Sequence, residues 1–386
     1  MFKYVISVGA GDNQLPLIKR LAEQGYKVIA FDKNENAPSK PYCWKFKPIS
    51  TWDAEKAIIW LESLAVEFIG ALCFSCGKAV ETQQEIITHF NLKGRLPRSF
   101  IRLCSNKLYL RQELQRLRLS TLTEYQAREV KDYTSLKASN YIVKECTGIA
   151  SNNVFLIDKV ELLAFLNNNI DKNCFLVQEY LTGDEFRVIA IIQNGKQRFI
   201  GALKRQNLIG TFFAGRYVPI IVEKWAEKLL RDLIISFSIR DAVLKIDLIR
   251  KGGKTEILEI NPEIPGDYFE TIIAPSLYGY SFIDNYIKLF SGKEVKSLTN
   301  YPKYEYCFDY IYNLNDNPIK VDYKIFKAQI ETYFEGKNFR FLQIKKNYTF
   351  ANFPRSNLDA VFGILHNDIT TSHYELNKHL IKMKAK

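Results

Sequence analysis

One stretch constrains the chain more than any other: Val243 to Asp267, VLKIDLIRKGGKTEILEINPEIPGD. Apolar residues alternate on both sides of Gly252-Gly253, which predicts two β-strands joined by a turn. Asp247, Glu259 and Asn261 interrupt the apolar pattern. Burying ionised carboxylates is costly unless a cation or a hydrogen-bond donor compensates, and a divalent metal meets that need.

Register decides whether the three side chains can act together, because cross-strand partners share a face and side chains alternate with period two. A two-residue turn at Gly252-Gly253 would set Asp247 opposite Leu258 and split the acids between faces. An odd-numbered loop, such as Lys251 to Thr255, would pair Asp247 with Glu259 and Lys245 with Asn261, given a left-handed glycine. Leu244, Ile246, Leu248, Leu258 and Ile260 on the other face argue against a solvated edge hairpin. Two carboxylates and an amide oxygen suit Mg2+, a hard cation that prefers oxygen ligands. Asp247, followed by ILEINP with Glu259 and Asn261, resembles the metal-binding end of the ATP-grasp ligases.

A chain of 386 residues, 47% hydrophobic and 25% charged, has room for two to four subdomains. No apolar run reaches the ~18 residues of a membrane span. The opening MFKYVISVGAG reads as a strand rather than a signal peptide, so the expected location is cytoplasmic. Seven irregularly spaced cysteines suit reduced thiols, and Cys73 and Cys76 lack the second half of a zinc site. The net charge of +12 points to anionic ligands such as nucleotide phosphates. Its lysines are interleaved with acids rather than massed in blocks, which argues against nucleic acid.

Residues 1–104 open with a βαβ pattern: strand KYVISV, Gly9 and Gly11, a helix with Leu15, Ile18 and Leu21 on one face, and strand KVIAFD. The third glycine of a dinucleotide fingerprint is missing, so NAD has little support. This opening resembles the Rossmann-like domain that precedes the ATP-grasp fold in carboxylate-amine ligases, where the glycine loop does not bind ATP.

Residues 105–182 are expected to form the small, lid-like subdomain. Ser105 is the expected cap of the helix NKLYLRQELQRLRL, with Lys107 in its first turn, where a cation opposes the helix dipole unless an anion is near. Lys144 lies on the apolar strand YIVKE. The polar loop that follows, Thr147 to Asn153, is small enough for backbone N–H groups to approach phosphate. The resemblance implies that Lys107 and Lys144 meet phosphates and that Thr147, Gly148, Ser151 and Asn152 cover them. It further implies that the hinge QEYL reads adenine through the Gln178 side chain, the Glu179 carbonyl, Tyr180 and the Leu181 N–H, and that Glu185 holds the ribose.

Residues 183–298 would then be the large subdomain. Lys204, Arg205 and Arg216 flank the loop QNLIGTFFAGRYVP, where cations could grip the terminal phosphates. Related ligases show a Glu and a His where Phe213 and Arg216 stand, and an Arg where Glu263 follows Asn-Pro. Glu263 is therefore expected to accept a cationic substrate group or to pair with Arg216. Residues 299–386 are expected to form a small C-terminal α+β unit. In it, Tyr304, Tyr306, Phe308, Tyr310 and Tyr312 line one strand face, read as packed core rather than an RNA-stacking platform.

The expected architecture is α/β: an ATP-grasp fold behind a Rossmann-like domain. The implied activity is ATP- and Mg2+-dependent joining of a small-molecule carboxylate, an amino acid above all, to an amine through an acyl phosphate, with ADP released. A carboxylase-like enzyme of a phosphorylated or purine precursor would share every ATP-binding residue, and a nucleic-acid-binding protein with a degenerate ATP site is the alternative from another class. The sequence leaves the oligomeric state open and allows a homodimer.

Overall fold

The computed structural model describes residues 3–132, 134, 136–148, 153–168, 170–208, 211–266, 268–298, 306–313, 319–320, 323–343, 349–350, 360 and 362–382. The chain begins with β1 (Tyr4–Val8), α1 (Leu15–Glu23), β2 (Lys27–Phe31), β3 (Lys45–Lys47), α2 (Ala54–Glu62), β4 (Phe68–Cys73) and α3 (Lys78–His89). The four strands form a parallel sheet in the order β3-β2-β1-β4. Their near-continuous apolar runs are buried, as a sheet covered by helices requires. The glycine loop after β1 satisfies itself: Ala10 N–H donates to Asp32 Oδ2 at 3.0 Å, and Gln14 Nε2 donates to Phe74 O at 2.5 Å.

Two helices follow, α4 (Arg98–Cys104) and α5 (Lys107–Arg116). The cap of α5 is Asn106, not Ser105. Asn106 has extended backbone and its side chain accepts from Leu108 N at 3.0 Å and Tyr109 N at 3.2 Å. Ser105 instead ends α4 and donates to Glu81 Oε1 at 2.6 Å.

Next come β5 (Glu124–Gln126), β6 (Asn140–Glu145), β7 (Phe155–Asp158), α6 (Lys159–Asn168) and β8 (Phe175–Glu179). They make a small antiparallel sheet in the order β5-β8-β6-β7. Tyr141, Val143 and Val177 on one face pack with Leu162 and Leu166 of α6. Lys144, Gln178 and Glu124 lie on the other face by alternation.

The largest sheet contains β9 (Asp184–Gln193), β10 (Lys196–Asn207) and β11 (Ala214–Ile220), then, after α7 (Lys224–Ser236), β12 (Ala242–Lys251) and β13 (Lys254–Asn261). A wide-turned helical segment, Phe269–Tyr278, and α8 (Phe282–Phe290) pack it against the N-terminal sheet, where Tyr286 Oη donates to Cys73 O at 2.9 Å. The chain ends with β14 (Cys307–Ile311), β15 (Ile319–Lys320), α9 (Tyr323–Tyr333), β16 (Phe339–Gln343), β17 (Thr349–Phe350), β18 (Phe362–His366) and α10 (His373–Lys382).

These last strands do not stand apart as an independent sheet. β14, β18 and β16 extend the large one, which runs β13-β12-β9-β10-β11-β14-β18-β16 with antiparallel neighbours throughout; only β15 and β17 pair separately. Gly215 on β11 lets α10 approach closely, since a Cβ there would lie 2.6 Å from the His373 ring. Phe308, Tyr310 and Tyr312 are buried, and the Tyr312 hydroxyl donates to Ala214 O at 2.8 Å, so these rings are core. Tyr304 lies outside the described residues.

The β12–β13 hairpin reaches the expected pairing by an unexpected route. Its turn has two residues, with Lys251 opposite Lys254 and both Gly252 (φ 57°) and Gly253 (φ 81°) left-handed. A bulge then inserts Leu258, so Leu248 faces Ile257 while Asp247 faces Glu259 and Lys245 faces Asn261. Ile257 is buried in the place expected for Leu258.

Candidate active site

Asp247, Glu259 and Asn261 share one face of the hairpin, and each acid meets a cation from another element. Arg187 on β9, directly across from Asp247, donates Nε to Oδ1 at 2.7 Å and Nη2 to Oδ2 at 3.1 Å. Burial pushes the Asp247 carboxyl up, but the guanidinium outweighs it and holds the pKa at about 2. Lys107 Nζ, in the first turn of α5, lies 2.9 Å from Glu259 Oε1. Burial opposes ionisation of Glu259 as well, and Lys107 again wins, so its pKa is lowered. Asn261 Nδ2 donates to Glu259 Oε2 at 3.3 Å.

Opposite this hairpin stands the small β5-β8-β6-β7 sheet. Lys107 Nζ also donates to the Gly148 carbonyl, and its backbone N–H donates to Cys146 O at 2.9 Å, which fastens the end of β6 to α5. Lys144 is buried and donates to Gln178 Oε1 at 2.5 Å. Thr147 is exposed and Gly148 half-buried. Beyond them, Asn153 is left-handed (φ 52°) and donates to Glu145 Oε1 at 2.7 Å. Ser151 and Asn152 lie outside the described residues. Glu179 ends β8, Tyr180 N–H donates to Asn140 O at 3.0 Å, and Leu181 lies in the short connection to β9. Glu185 accepts from Asn207 Nδ2 at 2.7 Å and lies 3.2 Å from Arg205 Nη1.

The β9–β10–β11 register separates residues that the sequence reading had grouped. Arg187 faces Leu203, Glu185 faces Arg205 and Arg205 faces Tyr217, so Arg205 shares the Asp247 side. Lys204 and Arg216 are one residue out of phase and project from the opposite face. Lys204 Nζ lies 2.8 Å from Asp184 Oδ1. Arg216 is buried and clamps Asp309 with two bonds, Nε to Oδ1 at 2.6 Å and Nη2 to Oδ2 at 2.7 Å, and donates Nη1 to Thr371 O at 2.8 Å. Neither residue shares a face with Asp247 and Glu259.

Glu263 is buried and bonded to Lys245 Nζ, so its partner is Lys245 rather than Arg216. Burial lowers the Lys245 ammonium's pKa, and Glu263 reverses this, raising it overall. Cys76, exposed in the loop after β4, lies near enough to this pair for Glu263 to push its thiol up and Lys245 to oppose it. The Lys245–Glu263 pair therefore sits where the N-terminal sheet meets the hairpin.

Four groups were missed by sequence reading. Arg187 and Lys245 carry the same signal as Lys144, a cation inside an apolar strand run. Arg111 and Glu124 carry no such signal, since their partners are distant in sequence. Arg111 Nη2 donates to Ile257 O at 2.5 Å across 146 residues.

Residues 104–267 match the family described as ATP-grasp domain. No curated protein matches the chain in sequence. Among solved structures, the L-amino acid ligase from Bacillus licheniformis is similar with a TM-score of 0.77 at 18% identity, covering 99% of this chain and 97% of that one. A carboxyaminoimidazole ribonucleotide synthase from Aspergillus clavatus, complexed with ATP, gives a TM-score of 0.74 at 12% identity, covering 99% of each chain. The phosphoribosylglycinamide synthetase from Anaerococcus prevotii gives 0.70 at 16% identity, covering 100% of this chain and 98% of that one. The chain thus carries an ATP-grasp domain match at residues 104–267 and shares the fold of these proteins along its length.

Proposed function

We propose that the protein is an ADP-forming ligase that joins a carboxylate, an amino acid above all, to an amine, forming an amide or peptide bond. The observation that carries this reading is the convergence of Asp247, Glu259 and Asn261 on one hairpin face opposite Lys107 and Lys144 of the lid. In the proposed reaction a carboxylate oxygen attacks the γ-phosphorus of ATP and ADP leaves. The amine then attacks the acyl carbon, and phosphate departs with the oxygen that the carboxylate supplied.

An all-oxygen donor set on one face, already drawing cations to both carboxylates, fits Mg2+. Held by Asp247, Glu259 and Asn261, the ion would neutralise charge on the terminal phosphates. The low pKa values of Asp247 and Glu259 keep both carboxylates ionised at neutral pH. Lys107 and Lys144 bind phosphate oxygens, with Lys107 exchanging the Gly148 carbonyl for the nucleotide. Arg205 lies on the same side and serves the transferring phosphate. The Gln178 side chain, the Glu179 carbonyl, Tyr180 and the Leu181 N–H hold adenine, and Glu185 takes the ribose. Thr147 and Gly148 lead the covering loop. In this scheme residues 1–104 shape the substrate cleft, 105–182 act as lid, 183–298 carry the metal site, and 299–386 brace the sheet. The lid excludes water that would hydrolyse the acyl phosphate.

Incubation with ATP, Mg2+ and pooled carboxylic acids and amines should release ADP only when both reactants are present, with a product mass equal to their sum less water. ADP release that ignores both pools would overturn the reading. Likeness to a carboxyaminoimidazole ribonucleotide synthase favours one second reading, carboxylation of a ribonucleotide amine. It would show as ADP release that requires bicarbonate and an aminoimidazole ribonucleotide.

Glu263 supplies a further prediction. An amino acid's ammonium can bind Glu263 while Lys245 turns to an anionic group, so Glu263→Gln should raise KM for the cationic substrate about tenfold, the worth of one charged hydrogen bond. KM for ATP should stay put. Unchanged constants for both substrates would make the residue a bystander.

A further inference from the structure

The lid buries a carboxylate for which the scheme above has no use. The Glu124 side chain is 1% exposed, and neither of its oxygens has a hydrogen-bond donor among the described residues. Its nearest cations are Arg111 Nε at 3.4 Å and Lys144 Nζ at 3.8 Å, both measured to Oε1. Arg111 donates Nη1 to Ser120 Oγ and Nη2 to Ile257 O, which leaves its Nε beside Glu124 without a hydrogen bond, so Glu124 stands between two cations. Strand pairing sets Glu124 opposite Gln178, the residue that accepts from Lys144. A buried carboxylate without hydrogen bonds is costly, and an apolar side chain of similar size would cost less. The group therefore answers a charge rather than a packing need.

We propose that Glu124 is a positioning residue, the counter-ion that holds the buried Lys144 ammonium charged and aimed into the nucleotide cleft. The charged groups facing Lys144 are Glu124 on β5, Lys107 and Arg111 on α5, and Glu259 on β13. Burial pushes the ammonium's pKa down, Glu124 is the strongest opposing influence, and Lys107 and Arg111 add to the downward push. Without Glu124 the balance tips toward the neutral amine, which cannot attract phosphate. The inference rests on the reading that Lys144 meets the nucleotide.

The test is MgATP affinity of the full chain by calorimetry from about pH 7.5 to about pH 9.5, where ATP itself no longer changes charge and a lysine of lowered pKa does. Wild type, whose Lys144 is lowered by burial but held up by Glu124, should weaken least as pH rises. Glu124→Gln should weaken progressively as pH rises, by about tenfold over the interval, the effect of a one-unit pKa change. Glu124→Asp should restore most of the wild-type profile. Lys144→Gln should bind weakly at every pH, and adding Glu124→Gln to it should cost nothing more. A Glu124→Gln loss that is constant with pH, or that adds to the Lys144→Gln loss, would overturn the proposal alone. Normal affinity in Lys144→Gln would overturn the phosphate role of Lys144 and the proposal with it. If Glu124→Gln does not fold, the counter-ion role predicts that Glu124→Leu/Lys144→Met does, and failure of that double variant would count against it.

Discussion

Asp247→Asn and Glu259→Gln should each reduce ATP-dependent turnover on the order of 10³-fold, while the circular dichroism spectrum stays that of the folded protein. The magnitude follows from the several kcal/mol of charge stabilisation that a bound metal contributes, at tenfold per 1.36 kcal/mol. Both substitutions preserve size and remove one negative charge. Asp247→Asn also leaves Arg187 without its carboxylate, so some loss of stability will accompany it. Glu259→Gln keeps an acceptor for Lys107 and separates metal binding from packing more cleanly. Turnover of both variants near that of wild type at limiting Mg2+ would remove the hairpin from the metal site.

The second large effect is on stability. Asp309→Asn should lower unfolding free energy by about 3–5 kcal/mol, the cost of breaking a buried ion pair by removing one partner. Asp309 is fully buried, clamped by Arg216 and in contact with His366 Nε2 at 2.7 Å. Because Arg216 lies on β11 and Asp309 directly opposite on β14, the pair fastens the C-terminal strands to the large sheet. Cys307, Asp309 and His366 also lie close enough to suggest a metal site. However, His366 Nδ1 accepts from Asp368 N–H at 3.2 Å, which leaves Nε2 to donate to Asp309 rather than to ligate.

Burial pushes the Asp309 carboxyl up, but Arg216 and His366 outweigh it and lower the pKa. A folded-state pKa below the unfolded value of about 3.9 gives stability that is present above that pH and lost as pH falls through the folded value. Urea midpoints should therefore drop below about pH 4 more steeply in wild type than in Asp309→Asn. Replacing both partners, as Arg216→Met/Asp309→Leu, should restore most of the stability and leave ATP turnover within a few-fold of wild type. A collapse of turnover in that folded double variant would return Arg216 to the phosphate site.

The shared face of Asp247, Glu259 and Asn261 was legible because charged residues in apolar strands are few and period-two alternation is strict. Asp247 and Glu259 needed only their pairing. Yet the bulge at Leu258 that delivers the pairing has no compositional mark, so the odd-numbered loop stood in for it. Lys204 and Arg216 were grouped with Arg205 for a related reason. Each is a cation beside the loop in sequence, but the register with β9 assigns them to the face away from Asp247, and register is a long-range property. The partner of Arg216 is 93 residues away. Lys107, Lys144 and Glu185 were singled out through the order of motifs along the chain rather than by composition. Glu124, in TLTEYQ, looks like any polar strand residue until β8 and α5 close over it.

The central claim is that a carboxylate oxygen passes to phosphate. Supplying the carboxylate substrate with oxygen-18 in its carboxyl group and reading the released phosphate by mass spectrometry tests it directly. One labelled oxygen per phosphate, formed in step with ADP and the amide, is the predicted result. Unlabelled phosphate, or AMP and pyrophosphate in place of ADP, would contradict the acyl-phosphate route.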